Sequence, residues 1–197
     1  MLDVRTAKTT DVVTRKIHLV GIRDIMFDRY PGDNNTKLEP YQKLYLDEQR
    51  VIGVPSLNII SFLSAHNTNS APKRLRDKRK YKDIANAMLS FVSIREQFLP
   101  LVRNDKPIVL GKFDGDKDEL SGCYVHRSVA RLDKGIPNPK VRPVVPLPWA
   151  LRFTMDIFPN REVKEQDIMN LMEEGGRAIG LGTFRGVFGK FRIEEWV

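Results

Sequence analysis

Apolar and polar residues alternate along two long stretches of this chain and recur at helical spacing along three others, so the pattern predicts a mixed fold of strands and helices. Over 12–22, β-branched residues alternate around Thr14, Lys16 and His18, which predicts a strand. Over 149–158, Trp149, Leu151, Phe153, Met155 and Ile157 share one face of a second strand, and Pro159-Asn160 ends it. Leu57, Ile60, Phe62, Leu63 and Ala65 form the apolar face of a helix that starts at Pro55 and stops near Asn67. Ile84, Ala87, Met88 and Phe91 do the same for 83–92, and Ile168, Leu171, Met172 and Ile179 for 163–179.

Shorter signals fill the gaps. Residues 44–46 and 51–54 flank a polar turn and read as a hairpin, while 98–102, 107–110, 122–129 and 190–197 read as strands. The acidic run 114–119 has the composition of a calcium loop without its spacing or its later glutamate. Gly135, Pro137, Pro139 and Pro143 lie among Lys134, Lys140 and Arg142, and predict an extended, protruding loop over 134–143. Helices packed on one face of an antiparallel sheet give an α+β, ferredoxin-like or RRM-like core. The expected organisation is a single domain, 1–197, with its core from 11–66 and 148–197. The insertions are then a basic arm over 67–95 and a thumb-like segment over 111–147.

Composition narrows the chemistry. Hydrophobic residues make up 41% and charged residues 29%, the balance of a globular protein rather than a disordered one. No apolar run is long enough to cross a membrane and the first residues lack a signal core, so the expectation is a cytoplasmic protein, in a bacterial or phage-infected cell, with no membrane partner. Cys123 is the only cysteine, and His18, His66 and His126 lack metal-ligand spacing, so neither a disulfide nor a metal or other cofactor is expected.

Charge points to a partner. A net +8 and a pI near 9.6 favour a polyanion. The cations concentrate in Lys73, Arg74, Arg76, Lys78, Arg79, Lys80 and Lys82, with Asp77 the single acid among them. A packed core cannot take such a segment, which therefore reads as a solvated loop or a binding arm.

Gly180, Gly182, Gly186 and Gly189 punctuate the stretch between the last helix and the last strand, with Arg185 inside it and Lys190 just beyond. Backbone N–H groups and cations converging there would suit a phosphate, whereas a purely structural loop would use the glycines for close packing. The loop is not a P-loop, because no Ser or Thr follows Lys190, and it is not a dinucleotide fingerprint, because it runs from helix to strand.

The stretch Ile179-Gly-Leu-Gly-Thr-Phe-Arg-Gly-Val-Phe-Gly-Lys-Phe-Arg-Ile193 resembles the C-terminal glycine-rich loop and strand of the repeat-associated mysterious protein (RAMP) superfamily of CRISPR-associated RNA-binding proteins. Arg50-Val-Ile-Gly-Val-Pro-Ser-Leu-Asn-Ile-Ile-Ser-Phe-Leu-Ser-Ala65 resembles that superfamily's strand-to-helix entry, although Pro55-Ser56-Leu57-Asn58-Ile59 lacks the family's usual glycine and lysine. The flavour is that of a CRISPR effector backbone subunit, or a stand-alone relative from phages and other mobile elements.

The resemblance implies a non-catalytic protein that binds single-stranded RNA or DNA and forms a homo-oligomer, or sits in a ribonucleoprotein complex. It makes Gly180, Gly182, Gly186 and Gly189 the glycine loop, with Arg185 as its cation, and 127–142 the thumb. The basic arm, Arg127, Lys140, Arg142, Arg185 and Lys190 are then the candidate phosphate contacts, with Tyr81, Trp149 or Phe184 as candidate stacking residues. Two alternatives stand beside it. One is a metal-independent endoribonuclease using His126 for proton transfer; the other is a phage-encoded mimic or blocker of a CRISPR effector.

Overall fold

A computed structural model describes residues 12–33, 35–64, 71, 75, 82–131, 135, 137–158 and 163–197, of which 82–86, 130 and 131 are described by their backbone. The chain enters through β1 (Val13–Gly21) and a two-residue strand, β2 (Ile25–Met26). A turn of 3-10 helix (Pro40–Lys43) precedes the hairpin of β3 (Tyr45–Leu46) and β4 (Ile52–Pro55), and β4 runs directly into α1 (Ser56–Leu63). Next come α2 (Lys82–Phe91), β5 (Val92–Ile94) and the short strands β6 (Phe98–Pro100), β7 (Val102–Arg103), β8 (Lys106–Pro107), β9 (Phe113–Asp114) and β10 (Lys117–Asp118). A long pair, β11 (Tyr124–Arg131) and β12 (Pro137–Val145), is followed by β13 (Ala150–Ile157), α3 (Glu165–Ala178) and β14 (Phe191–Trp196).

The two alternating stretches become the centre of the main sheet. β1 pairs antiparallel with β13, and β14 and β5 flank them, in the order β14-β1-β13-β5. With α1 between β1 and β5 in the chain and α3 between β13 and β14, this is the ferredoxin-like β-α-β-β-α-β arrangement. The expectation of an α+β, ferredoxin-like fold holds. Its fourth strand, β5, comes from the segment assigned above to the basic arm.

Register decides which face is covered. Ile17 opposite Phe153 and Leu19 opposite Leu151 are buried, and each such side chain contributes about 1.5–3 kcal/mol of hydrophobic burial. Thr14, Lys16, His18 and Val20 lie opposite Asp156, Thr154, Arg152 and Ala150 on the other face, so these paired positions carry no Phe, Tyr or Trp, and His18 is their one aromatic ring. The several large rings of an RNA-recognition sheet's stacking platform are therefore reduced to one histidine at these positions.

Helix α3 reaches the sheet through two glycines. A Cβ on Gly176 would meet the Phe191 ring at 2.6 Å, and one on Gly175 would meet the Ala71 Cβ at 2.6 Å and the Phe62 ring at 2.8 Å. Glycine in a helix interior costs about 1 kcal/mol relative to alanine, and here it permits contact with β14 and α1. Asp167 and Glu165 in the first turn and Arg177 in the last also suit the helix dipole.

Three expectations need correcting. Leu57 is 70% exposed, and α1 instead buries Ile59, Ile60, Phe62 and Leu63. The helix begins after Pro55 and ends at Leu63 rather than near Asn67, and Leu57 lies opposite the face centred on Ile59, Phe62 and Leu63. The protruding loop at 134–143 is largely strand β12, paired with β11 from Tyr124 opposite Val144 to Arg131 opposite Pro137. Pro137, Pro139 and Pro143 share one parity, so their nitrogens, which have no hydrogen to donate, face away from β11. The Pro143 carbonyl confirms this by accepting outward, from the Phe27 N–H at 3.0 Å. Among the described residues no helix is long and apolar enough to cross a membrane.

Candidate nucleic-acid interface

The glycine loop is held by its own backbone. Gly180, Leu181, Thr183, Gly186, Val187, Phe188 and Gly189 all donate their N–H groups to protein carbonyls, Thr183 to Met26 at 2.8 Å and Gly189 to Asp24 at 2.7 Å. Amides so occupied cannot cradle a phosphate, which removes most of the loop's N–H groups from that reading. Close packing explains the glycines instead: a Cβ on Gly182 would lie 2.3 Å from the Met26 oxygen and one on Gly189 1.9 Å from the Leu181 oxygen. Gly186 differs, with a φ of 92° and nothing within 4 Å of a built Cβ, so it serves the turn at the exposed tip.

Cations and an open cleft remain at this loop. A cleft of about 430 Å³ is lined by Arg23, Asp24, Leu147, Val187, Phe188 and Lys190. Arg23 is exposed, and among the described residues neither Arg23 nor Lys190 forms an ion pair. Asp24 anchors the floor by accepting from the Tyr124 hydroxyl and the Leu147 N–H, both at 3.0 Å. Burial, and then that bond to Asp24, push the Tyr124 phenol up to about 12, so it stays a protonated donor at neutral pH. Arg185 folds back to donate to the Gly182 carbonyl at 3.1 Å. Phe184 has a left-handed backbone, φ 51°, and a side chain 47% exposed beside Phe188, at 5.9 Å between ring centroids. Arg23 escaped the sequence reading, because a lone cation after a strand carries no pattern.

Next to this loop stands the β11–β12 pair, the expected thumb. No described side chain from 127 to 129 or from 137 to 142 is buried. Its cations have separate fates. Arg142 donates to Asp28 at 2.7 Å with only 14% of its side chain exposed, and Lys43 shares that carboxylate at 3.4 Å, so Arg142 ties β12 to the residues after β2. Arg127 makes a two-pronged pair with Asp116, at 2.6 and 3.1 Å, both side chains more than half exposed. Solvent screens such surface pairs, so a phosphate can displace the carboxylate. Lys140 is half-buried and forms no ion pair among the described residues.

Lys73, Arg74, Arg76, Lys78, Arg79, Lys80 and Tyr81 lie outside the described residues. Trp149 is not available for stacking: it is 1% exposed, its indole donates to the Arg23 carbonyl at 2.8 Å, and it fills the space where Gly21 lacks a side chain. The His126 ring packs edge-on against Phe188 at 5.4 Å, and its buried Nδ1 has no hydrogen-bond partner among the described residues. A proton-transfer histidine is ordinarily oriented through such a bond. Among the described residues no group of three His, Cys, Asp or Glu side chains could hold a metal ion.

No protein-family model matches the sequence, and no curated protein does. Solved structures match the fold. A chain in the cryo-EM structure of the type III-B Cmr-beta bound to cognate target RNA superimposes with a TM-score of 0.57 at 10% sequence identity, over 94% of this chain and 60% of that one. This chain thus spans about three fifths of that chain's length, and the similarity lies in the fold.

Proposed function

We propose that this protein binds single-stranded nucleic acid, RNA in preference to DNA, without cleaving it, and that several copies or a larger ribonucleoprotein assemble along the strand. The observation that carries the reading is the grouping of Arg23 and Lys190, without ion pairs among the described residues, around an open cleft beside the exposed Phe184 ring, next to the exposed β11–β12 pair. Cations along a backbone path and an aromatic face for a base are the two requirements of single-strand binding. Phe184 adopts a positive φ that costs a non-glycine residue of order 1–3 kcal/mol while its ring stays outside the core, which supports a contact role for it. The fold shared with a chain of an RNA-bound structure supports the same reading. So does the net charge of +8. The RAMP-like sequence features at both ends favour a relative of CRISPR effector subunits, of cellular or phage origin.

Fluorescence anisotropy with labelled single-stranded RNA and DNA, at several salt concentrations, tests it. Each phosphate contact contributes about −0.7 to the slope of log K against log salt for single strands, so Arg23→Gln and Lys190→Gln should each flatten the slope by about that amount. Sizing with and without nuclease checks assembly, and the expected particle shrinks on digestion. A monomer indifferent to RNA and DNA at low salt overturns the proposal and favours an interaction protein, and cleaved RNA that stays intact with His126→Ala favours the endoribonuclease.

A further inference from the structure

A second open cleft, of about 390 Å³, lies on the small sheet β3-β4-β6 and shares no residue with the one at the glycine loop. Tyr41 of the 3-10 turn, Tyr45 of β3 and Phe98 of β6 line it, together with Leu46, Arg29 and Arg50. The size falls within the range of about 300–1,000 Å³ typical of small-ligand sites. The Phe98 ring covers Gly53 of β4, where a built Cβ would lie 2.4 Å from it, and Tyr45 packs on Phe27, so Tyr41 is the ring at this opening that packing of the small sheet does not use.

The two arginines are fixed without being neutralised. Arg50, in a left-handed turn conformation at φ 64°, donates to the carbonyls of Leu110 at 3.1 Å and Gly111 at 2.7 Å. Arg29 donates to the Gln42 carbonyl at 3.1 Å. Neither pairs with a carboxylate among the described residues. Carbonyl partners orient a guanidinium but leave its full charge in place, which prepares it for an anion. Tyr45 is steadied by an edge contact with the buried Phe27 ring, 6.2 Å between centroids at 77°, whereas Tyr41 is 42% exposed. No described residue hydrogen-bonds either phenol hydroxyl.

We propose that this cleft is a nucleotide subsite, holding one base against the Tyr41 and Phe98 rings and its phosphate at Arg29 and Arg50. Flat aromatic faces beside pre-oriented guanidinium groups match a base with its phosphate. They suit an acidic peptide less well, because its carboxylates would use the arginines and leave the rings idle. The subsite extends the single-strand reading to a second contact, and a free nucleotide tests it independently of any polymer.

The experiment is a ¹H–¹⁵N NMR titration of the full chain with adenosine 5′-monophosphate, with adenosine, inorganic phosphate and a hexaglutamate peptide as separate arms. The nucleotide should shift amides at 41–46, Arg50 and Phe98 more than adenosine or phosphate alone does. Tyr41→Ala, at an exposed position, should weaken that binding by about five- to a hundred-fold, as expected for loss of one base-stacking ring. Unmoved amides at millimolar nucleotide, wild-type affinity in Tyr41→Ala, or a response to hexaglutamate alone would each overturn the subsite. If the nucleotide binds here and single-stranded RNA binds nowhere, the subsite stands and the proposed function falls; RNA binding with a silent cleft gives the reverse.

Discussion

Replacing Gly176 with alanine sets two effects of opposite sign against each other inside α3. Helix propensity alone favours alanine by about 1 kcal/mol. Against it, a Cβ would lie 2.6 and 2.8 Å from two Phe191 ring carbons and 2.8 Å from the Phe191 carbonyl oxygen. Phe191 is fully buried and its backbone is paired with β1 opposite Gly21, so neither ring nor carbonyl has room to retreat. Helix α3 must lift from β14 instead, and overpacking of this kind costs roughly 1–3 kcal/mol. Because one of the contacts is a backbone oxygen, the cost falls in the upper part of that range and the steric effect wins, leaving a net destabilisation of about 1–2 kcal/mol. Gly175→Ala should cost a similar amount, because the Ala71 Cβ moves only with its backbone and the Phe62 ring is fully buried. Urea unfolding followed by circular dichroism reads both losses. With a slope of about 2 kcal/mol per molar, the Gly176→Ala midpoint should fall by roughly 0.5–1 M with the slope unchanged. A variant as stable as the wild type, or more so, would refute the close approach of α3 to β14.

The remaining predictions concern ionisation. The Arg15 hydrogen bond, opposed by burial and aided by the Trp196 indole, holds the Glu165 carboxyl below the usual carboxylate range. Its contribution is thus present above the unfolded value near 4.3 and lost as pH falls through the lower folded one. Glu165→Gln should lower the urea midpoint at pH 7 and leave it nearly unchanged near pH 2, and an equal loss at both would show that the charge is irrelevant. Burial pushes the Cys123 thiol up to about 11, so a thiol reagent at pH 8 should modify it only once urea unfolds the chain. Rapid labelling of the native protein would contradict that burial.

Much of the architecture was legible because the local pattern and the tertiary environment agreed. The alternation in β1 and β13 and the helical spacing in α3 reported real faces, since each face meets a single partner surface. The β12 strand was missed although its signal was present: Pro137, Pro139 and Pro143 share one parity, and prolines on alternate positions are compatible with an edge whose other side is paired. Leu57 shares helical spacing with Ile60 alone, whereas Ile59, Phe62 and Leu63 centre the buried face on the far side of the helix, so a single i, i+3 pair does not define the face.

The sequence by itself determined the α+β class, the order of the core elements and the basic character of the surface, because periodicity and charge are local properties of a chain. Tertiary structure decided what individual residues are for. It assigned three of the loop glycines to packing and left Gly186 to the exposed tip, bound Arg142 to Asp28 and sealed Trp149 in the core. It also gathered Arg29, Arg50, Tyr41, Tyr45 and Phe98 into one cleft. Whether a cation is free, a ring exposed or an amide already bonded depends on partners distant in the chain, and such pairings leave no periodic trace in the sequence.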